Sequence, residues 1–142
     1  MISAVQKPIN SGFTNKSETK DVLKNIDLNK KNTGKLIDKE ARKFLKKNRL
    51  DYNHGTGHGV GFFLNVHEGP QALSKNNKIT LKEGMILSNE PGYYLNNNYG
   101  IRIENLIYIN KIKNNLKFEN LTLAPIDIDM INFKMLNRKE RK

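Results

Sequence analysis

Residues 51–67 read Asp-Tyr-Asn-His-Gly-Thr-Gly-His-Gly-Val-Gly-Phe-Phe-Leu-Asn-Val-His and hold all three histidines of the chain, His54, His58 and His67. Gly55, Gly57, Gly59 and Gly61 alternate with other residues around them. Glycine loses more backbone freedom on folding than any other residue, so a run this dense needs a compensating reason. The reasons available are turns at positive φ, or a ligand lying close against the backbone. In either case the imidazoles stand on tight backbone with little bulk around them. That arrangement presents nitrogen to a metal or a substrate; an ordinary turn with solvated histidines is the other reading. The apolar and aromatic run Val60 to Val66 is expected to form a strand ending at His67, before Glu68-Gly69-Pro70 turns the chain.

Upstream, Ile37, Ala41, Phe44 and Leu45 recur at helical spacing with Lys and Arg on the other face, which predicts a scaffold helix from Thr33. Thr33 stands at its N-cap, and Lys46, Lys47 and Arg49 suit the negative end of its dipole. Residues 1–32 are rich in Ser, Thr, Asn and Lys, and Val22, Leu23 and Ile26 make at most one apolar turn. They are expected to be a flexible or weakly helical lead, with residues 33–142 forming one domain.

Downstream, residues 71–78 read as polar loop and Ile79–Leu81 as a short extended piece. Met85 to Glu90 reads as a strand stopped by Pro91-Gly92. Tyr93 and Tyr94 lead to a loop at Asn96–Asn98. Ile101 to Ile109 gives the clearest strand pattern. Ile101, Ile103, Ile107 and Ile109 share one face, and Arg102, Glu104, Leu106 and Tyr108 the other. Arg102 and Glu104 therefore project together. A covered carboxylate needs a partner, which Arg102 as a structural ion pair or a metal ion would supply. Leu116 to Leu123 is expected to be a last strand, with its alternation slipping at Asn120 as at a bulge. A helix is expected to begin near Asp129.

The chain has 142 residues, 37% of them hydrophobic, which bounds it to one ordinary domain with a modest core. No apolar run approaches bilayer length, so no membrane span is expected. The first residues lack the basic-then-apolar order of a secretory signal, and there is no cysteine. Both fit a cytoplasmic protein whose metal sites, if any, rest on His, Asp and Glu. The net charge of +11 raises the question of nucleic acid. The lysines are scattered, however, and the basic groups at Arg42–Arg49 and Arg138–Lys142 are not interleaved with aromatics that stack on bases. Compositional drift is the preferred reading, and nucleic acid is disfavoured as a partner. Nucleophilic catalysis by a side chain has no support without cysteine or a clear serine partner.

His58 on the glycine loop, Glu90 at the end of one strand and Glu104 on another converge if these elements are neighbours. One nitrogen among carboxylate oxygens suits a divalent ion such as Mn2+. Carboxylates bridging two ions hold a shared water and help make it a nucleophile. His54 and His67 are then placed to orient substrate or move a proton.

Four blocks carry a resemblance: His-Gly-Thr-Gly-His-Gly-Val-Gly (54–61), Leu-Asn-Val-His-Glu-Gly-Pro (64–70), Glu-Gly-Met-Ile-Leu-Ser-Asn-Glu-Pro-Gly-Tyr-Tyr (83–94) and Tyr-Gly-Ile-Arg-Ile-Glu-Asn (99–105). In this order they resemble the C-terminal part of the catalytic domain of Xaa-Pro aminopeptidase (aminopeptidase P), a pita-bread metallopeptidase, and look most like its cytosolic eukaryotic form. The resemblance implies an α+β fold, part of a curved antiparallel sheet with helices on its outer side. It implies hydrolysis of the peptide bond before a proline at the second position, by water activated between two divalent ions, commonly manganese. Carried over by motif, His58 and Glu90 bind one ion and Glu104 bridges both. His54 and His67 contact substrate or assist proton transfer, and Arg102 supports Glu104. The family's other two ligands are aspartates on upstream strands. Asp21, Asp27 and Asp38 lie in polar or helical surroundings and are not assigned to them. The expectation is therefore a truncated Xaa-Pro aminopeptidase holding one ion or none by itself. Its alternatives are a subunit completed by another chain that brings the aspartates, and a non-catalytic pita-bread binding module.

Overall fold

Ile37 and Ala41 lie one helical turn apart and both are buried, so the helix after Thr33 is held by a single stripe. The structure, a computed structural model, describes residues 32–62, 65–124, 129, 131 and 133–135. It places α1 over Gly34–Ala41 and a short α2 over Lys43–Lys47. Thr33 occupies the N-cap position without a side-chain capping bond. The first N–H groups of the helix are met by backbone instead, Gly34 N donating to Ile79 O and Lys35 N to Asn77 O. These bonds seat the helix on the 77–80 segment.

The strands are β1 (Gly57–His58), β2 (Ala72–Leu73), β3 (Ile86–Asn89), β4 (Gly92–Leu95), β5 (Tyr99–Arg102), β6 (Asn105–Ile112) and β7 (Asn115–Asn120). All pair antiparallel, as a three-stranded sheet in the order β3-β6-β7 and two ribbons, β1-β2 and β4-β5. The other edge of β3 is covered by the glycine loop: Gly59 bridges Leu87, Val60 N donates to Ile86 O and Glu90 N to Thr56 O. The core is Ile37, Leu73, Leu81, Leu87, Ile107, Ile109 and Phe118. Each fully buried Leu or Ile contributes roughly 1.5–3 kcal/mol relative to leaving it exposed. The architecture is mixed α and β with antiparallel sheets, as expected. The lead of residues 1–31, and most of the helix expected after Asp129, lie outside the described residues; Phe133–Met135 is a 3-10 turn.

Four expectations are corrected. Val60 to Val66 is not a strand over its described residues. Gly59 O accepts from Glu68 N, Gly59 N donates to Gln71 O and Gly61 N to Asn65 O, so the chain doubles back on itself. Phe62 and Val66 are left 87% and 63% exposed. Residues 71–78 are not all polar loop, since β2 pairs with β1 and buries Leu73 completely.

Ile101 to Ile109 is two strands rather than one. β5 pairs with β4, and β6 with β3 and β7. The facing chain carries Pro91, which has no N–H to continue a ladder, and its carbonyl accepts from Ile103 N at the crossing. Ile107 and Ile109 are buried, whereas Ile101 and Ile103 are only half-buried. Finally, no bulge forms at Asn120, which pairs in regular register with Ile107 at the end of β7. Asn120 lies on the core face because an amide ladder runs across the sheet there, Asn89 Nδ2 donating to Asn105 Oδ1 and Asn105 Nδ2 to Asn120 Oδ1.

Candidate functional site

His58 stands between two glycines. A Cβ on Gly57 would lie 1.9 Å from Ser88 O, and one on Gly59 2.0 Å from Glu68 O. What lies close against this backbone is the chain itself, so the glycines let His58 thread between β3 and the 68–71 segment. His58 N donates to Ser88 Oγ (2.9 Å), and Ser88 Oγ donates to Glu90 Oε1 (2.8 Å). The His58 ring is oriented by a 2.9 Å contact between Nδ1 and Gly59 O. A ring nitrogen facing a carbonyl must carry the proton, so the lone pair of the neutral imidazole is on Nε2. Nε2 lies 3.4 Å from Glu90 Oε1, and the other carboxylate oxygen of Glu90 lies 3.2 Å from Arg102 Nη1. The His67 ring packs on that of His58 with centroids 4.1 Å apart.

Two acceptors facing each other at this distance repel unless a proton or a cation lies between them. One imidazole nitrogen and a carboxylate, with the remote ring nitrogen already held by a carbonyl, is the donor chemistry of a divalent metal ligand pair. Glu90 is nearly buried, and its known partners are Ser88, His58 and Arg102. Glu104 is half-buried in the link between β5 and β6 and acts on Arg102 through its charge. Among the described residues no three His, Asp or Glu side chains converge as a metal-binding group. The pair fits a cation.

His54 makes the other end of the site. Its Nδ1 faces Gly55 O at 2.7 Å, so by the same argument Nε2 is the acceptor, and Tyr94 Oη donates to it at 2.9 Å. Tyr94 Oη in turn accepts from Arg102 Nε at 2.9 Å. The bond to Tyr94, opposed by burial and helped by the charges of Glu90 and Glu104, holds the Arg102 guanidinium above its ordinary value. A continuous path therefore runs His54–Tyr94–Arg102–Glu90–His58.

Sequence reasoning missed Tyr94, Ser88 and a charged cluster around Arg42 beneath His54. Tyr93 and Tyr94 point to opposite faces of one strand, and nothing in the pair says which faces the histidines. Ser88 stands two residues before Glu90 on β3, so the strand period already placed the two on one face. Asp38 and Arg42 carried a legible signal: they sit four residues apart directly beside Ile37 and Ala41, on the stripe that is buried.

The sequence profile of metallopeptidase family M24 matches residues 19–111, more than half of the chain. The chain belongs to family M24. This M24 chain is 50% identical over 121 residues to the probable Xaa-Pro aminopeptidase P of Coprinopsis cinerea, covering 78% of this chain and 20% of that protein. It is 50% identical over 116 residues to Xaa-Pro aminopeptidase 1 of Dictyostelium discoideum, covering 75% and 18%. Among solved structures, the X-prolyl aminopeptidase from Caenorhabditis elegans, described as a cytosolic enzyme with a di-nuclear active site, matches with a TM-score of 0.67 and 41% identity, over 75% of this chain and 18% of that one. The prolidase from Pyrococcus horikoshii matches at 0.64 and 32% identity, over 77% and 29%. The chain spans about a fifth of the length of the curated relatives it matches. The matched M24 segment is the C-terminal part of a pita-bread catalytic domain of Xaa-Pro aminopeptidase type. No helix among the described residues is long and apolar enough to cross a membrane.

Proposed function

We propose that this chain carries part of the active site of a metal-dependent Xaa-Pro aminopeptidase, with His58, Glu90 and Glu104 as metal ligands and His54 and His67 on the substrate side. The observation that carries the reading is the His58 Nε2 facing a Glu90 oxygen at 3.4 Å, with its Nδ1 against the Gly59 carbonyl. Divalent ions, Mn2+ by this reading and two in the complete site, would activate a water and polarise the scissile carbonyl. The chain's own residues prepare for that. Ser88 and Arg102 each take one oxygen of Glu90, which fixes the orientation of its carboxylate. Arg102 lies within the field of both glutamates and keeps them from repelling each other. His54 Nε2 accepts a hydrogen bond from Tyr94 and is placed to accept one from a substrate instead. His67, packed on the ring of His58, brings a second imidazole to the same place.

The substrate class is a peptide with proline at its second position, following the names of the relatives. Residues 33–142 form the catalytic segment and residues 1–32 lead into it. A cytoplasmic location follows the cytosolic description of the nematode enzyme. Asp38 is not among the missing donors, because both its oxygens are engaged by Arg42 and Thr56. Two aspartates from beyond the described residues, or from a complementary chain, complete the set in this reading.

Calorimetric titration with Mn2+, with hydrolysis of an Xaa-Pro peptide followed alongside, tests it. Weak binding of one ion that Glu90→Gln abolishes is expected. Binding that ignores Glu90→Gln would overturn the ligand assignment, and two tightly bound ions with turnover would overturn the reading of these ligands as partial.

A further inference from the structure

Arg42 is 1% exposed, yet four of its five N–H groups have fixed acceptors. Nε donates to Asp38 Oδ2 (2.8 Å), Nη1 to Asp51 Oδ1 (2.6 Å) and to Tyr52 O (2.7 Å), and Nη2 to His54 O (2.5 Å). Its Cζ lies 3.9 Å from the centroid of the Tyr52 ring, and that ring in turn packs 4.8 Å from the His54 ring. Asp38 completes the bracket, its Oδ1 accepting from Thr56 N (3.2 Å) and Thr56 Oγ1 (2.7 Å). Because the Thr56 hydroxyl proton goes to Asp38, its oxygen accepts from Tyr52 Oη across 2.5 Å. One turn of α1 and its C-cap thus grip every second residue of the loop from 52 to 56.

Burial of an ion pair is weak evidence for stability, since apolar residues of the same volume often serve as well. What such a fork supplies is geometry: a planar guanidinium fixes several acceptors relative to one another. Here the acceptors include the backbone of the residue whose imidazole faces Tyr94. Nothing else described holds the His54 carbonyl. Misplacing a reacting group by an ångström costs orders of magnitude in rate, and a glycine follows His54 at once, so the loop has no stiffness of its own there.

We propose that Arg42, with Asp38 and Thr56, is a positioning residue that fixes the backbone and ring tautomer of His54 from beneath the site. This rests on the reading of His54 as the substrate-side histidine. The bracket lets that histidine stand ready with its Nδ1–H on Gly55 O and its Nε2 toward Tyr94 before any substrate or metal arrives.

The test is imidazole nitrogen-15 spectroscopy on the full chain at a pH where its histidines are neutral. In the unaltered protein His54 and His58 both show the Nδ1–H form. In Arg42→Lys, which keeps the charge but not the fork, His54 loses that single form for the mixture of tautomers of free histidine. His58, held by Gly59 O, keeps it, and the amide signals of β6 and β7 stay in place. A His54 that keeps its Nδ1–H form in Arg42→Lys overturns the proposal. Should Arg42→Lys lose the strand signals, Thr56→Val decides in the same way, since it removes the hydroxyl link without changing volume much; loss of the strand signals in both variants also overturns it, because the bracket is then fold support alone. The readout needs neither metal nor peptide. A positive result beside an inert Mn2+ titration would therefore sink the reading of His58 and Glu90 as a metal-binding pair and leave the bracket standing.

Discussion

The two histidine-bearing ends of this site are built to different degrees of completion. At the His54 end the groups find partners within the chain: a buried guanidinium, two carboxylates, two hydroxyls and two carbonyls bond to one another. At the His58 end the imidazole Nε2 and a Glu90 oxygen lie 3.4 Å apart, longer than an ordinary hydrogen bond, and Glu104 acts on Arg102 through its charge. The difference teaches how the labour is divided. A surface that orients a substrate needs only rigidity, which α1 and the loop supply between them. A cation site needs nitrogen and oxygen lone pairs turned toward one place, which His58 and Glu90 supply.

The largest effect that sharpens this contrast is expected from Arg42→Met. It leaves the Asp38 carboxylate buried without its cation, which costs roughly 3–5 kcal/mol of stability in urea unfolding. A loss near zero would mean that the His54 end is no more built than the other. Glu90→Gln comes next. It keeps an acceptor for Ser88 but removes the charge, so Mn2+ binding by calorimetry weakens by about 100-fold or more, with a smaller cost in stability because the Arg102 side chain it faces is 38% exposed.

Tyr52→Phe is expected to cost about 1 kcal/mol at neutral pH for its bond to Thr56. It also reads out in alkali. Burial, against the opposing effects of Thr56 and Arg42, pushes the Tyr52 hydroxyl up to about 12. With the folded value raised, the stability it contributes is fully present below the unfolded value of about 10 and is lost as pH rises through the folded one. Thermal melts of the unaltered protein should therefore fall between about pH 10 and 12 more steeply than those of Tyr52→Phe. The smallest effect is at acid pH. Burial raises Asp51, but its bonds from Arg42, Tyr52 N and Lys75 outweigh that and hold it below the usual carboxylate range. Its contribution is present above about pH 4 and fades as pH falls through the lower folded value. Asp51→Asn should flatten that acid limb by less than about 1 kcal/mol, since the group is partly solvated.

The sequence made the elements with a private signal legible. The stripe Ile37–Ala41 marks α1, the run before Pro91 marks β3, and Ile107 and Ile109 mark the buried face of β6. What it hid depends on a second segment. From Ile101 to Ile109 the alternation carries a polar residue on its apolar face at Asn105 alone, and the break at Ile103–Glu104 is imposed by Pro91 on the facing chain. Val60 to Val66 has a strand's composition, but backbone bonds from Gly59 and Gly61 turn it back on itself. Asn120 read as an irregularity because the amides that answer it, Asn105 and beyond it Asn89, lie 15 and 31 residues away. In the site, the histidines and glutamates stand out by type and motif. Tyr94 does not, since one of two adjacent tyrosines reveals its partner only once the chain is folded; the spacing of Arg42 marks it as buried beside Asp38, but not which loop carbonyls it grips.

The measurement that tests the contrast most directly is the imidazole nitrogen-15 spectrum of the full chain during titration with Zn2+, a diamagnetic ion that His and carboxylate ligands accept. Nε2 of His58 should move as the nitrogen that takes the metal while its Nδ1–H persists, with His54 unchanged. A shift centred on His54, or no histidine shift at all while the ion binds elsewhere, would contradict the account.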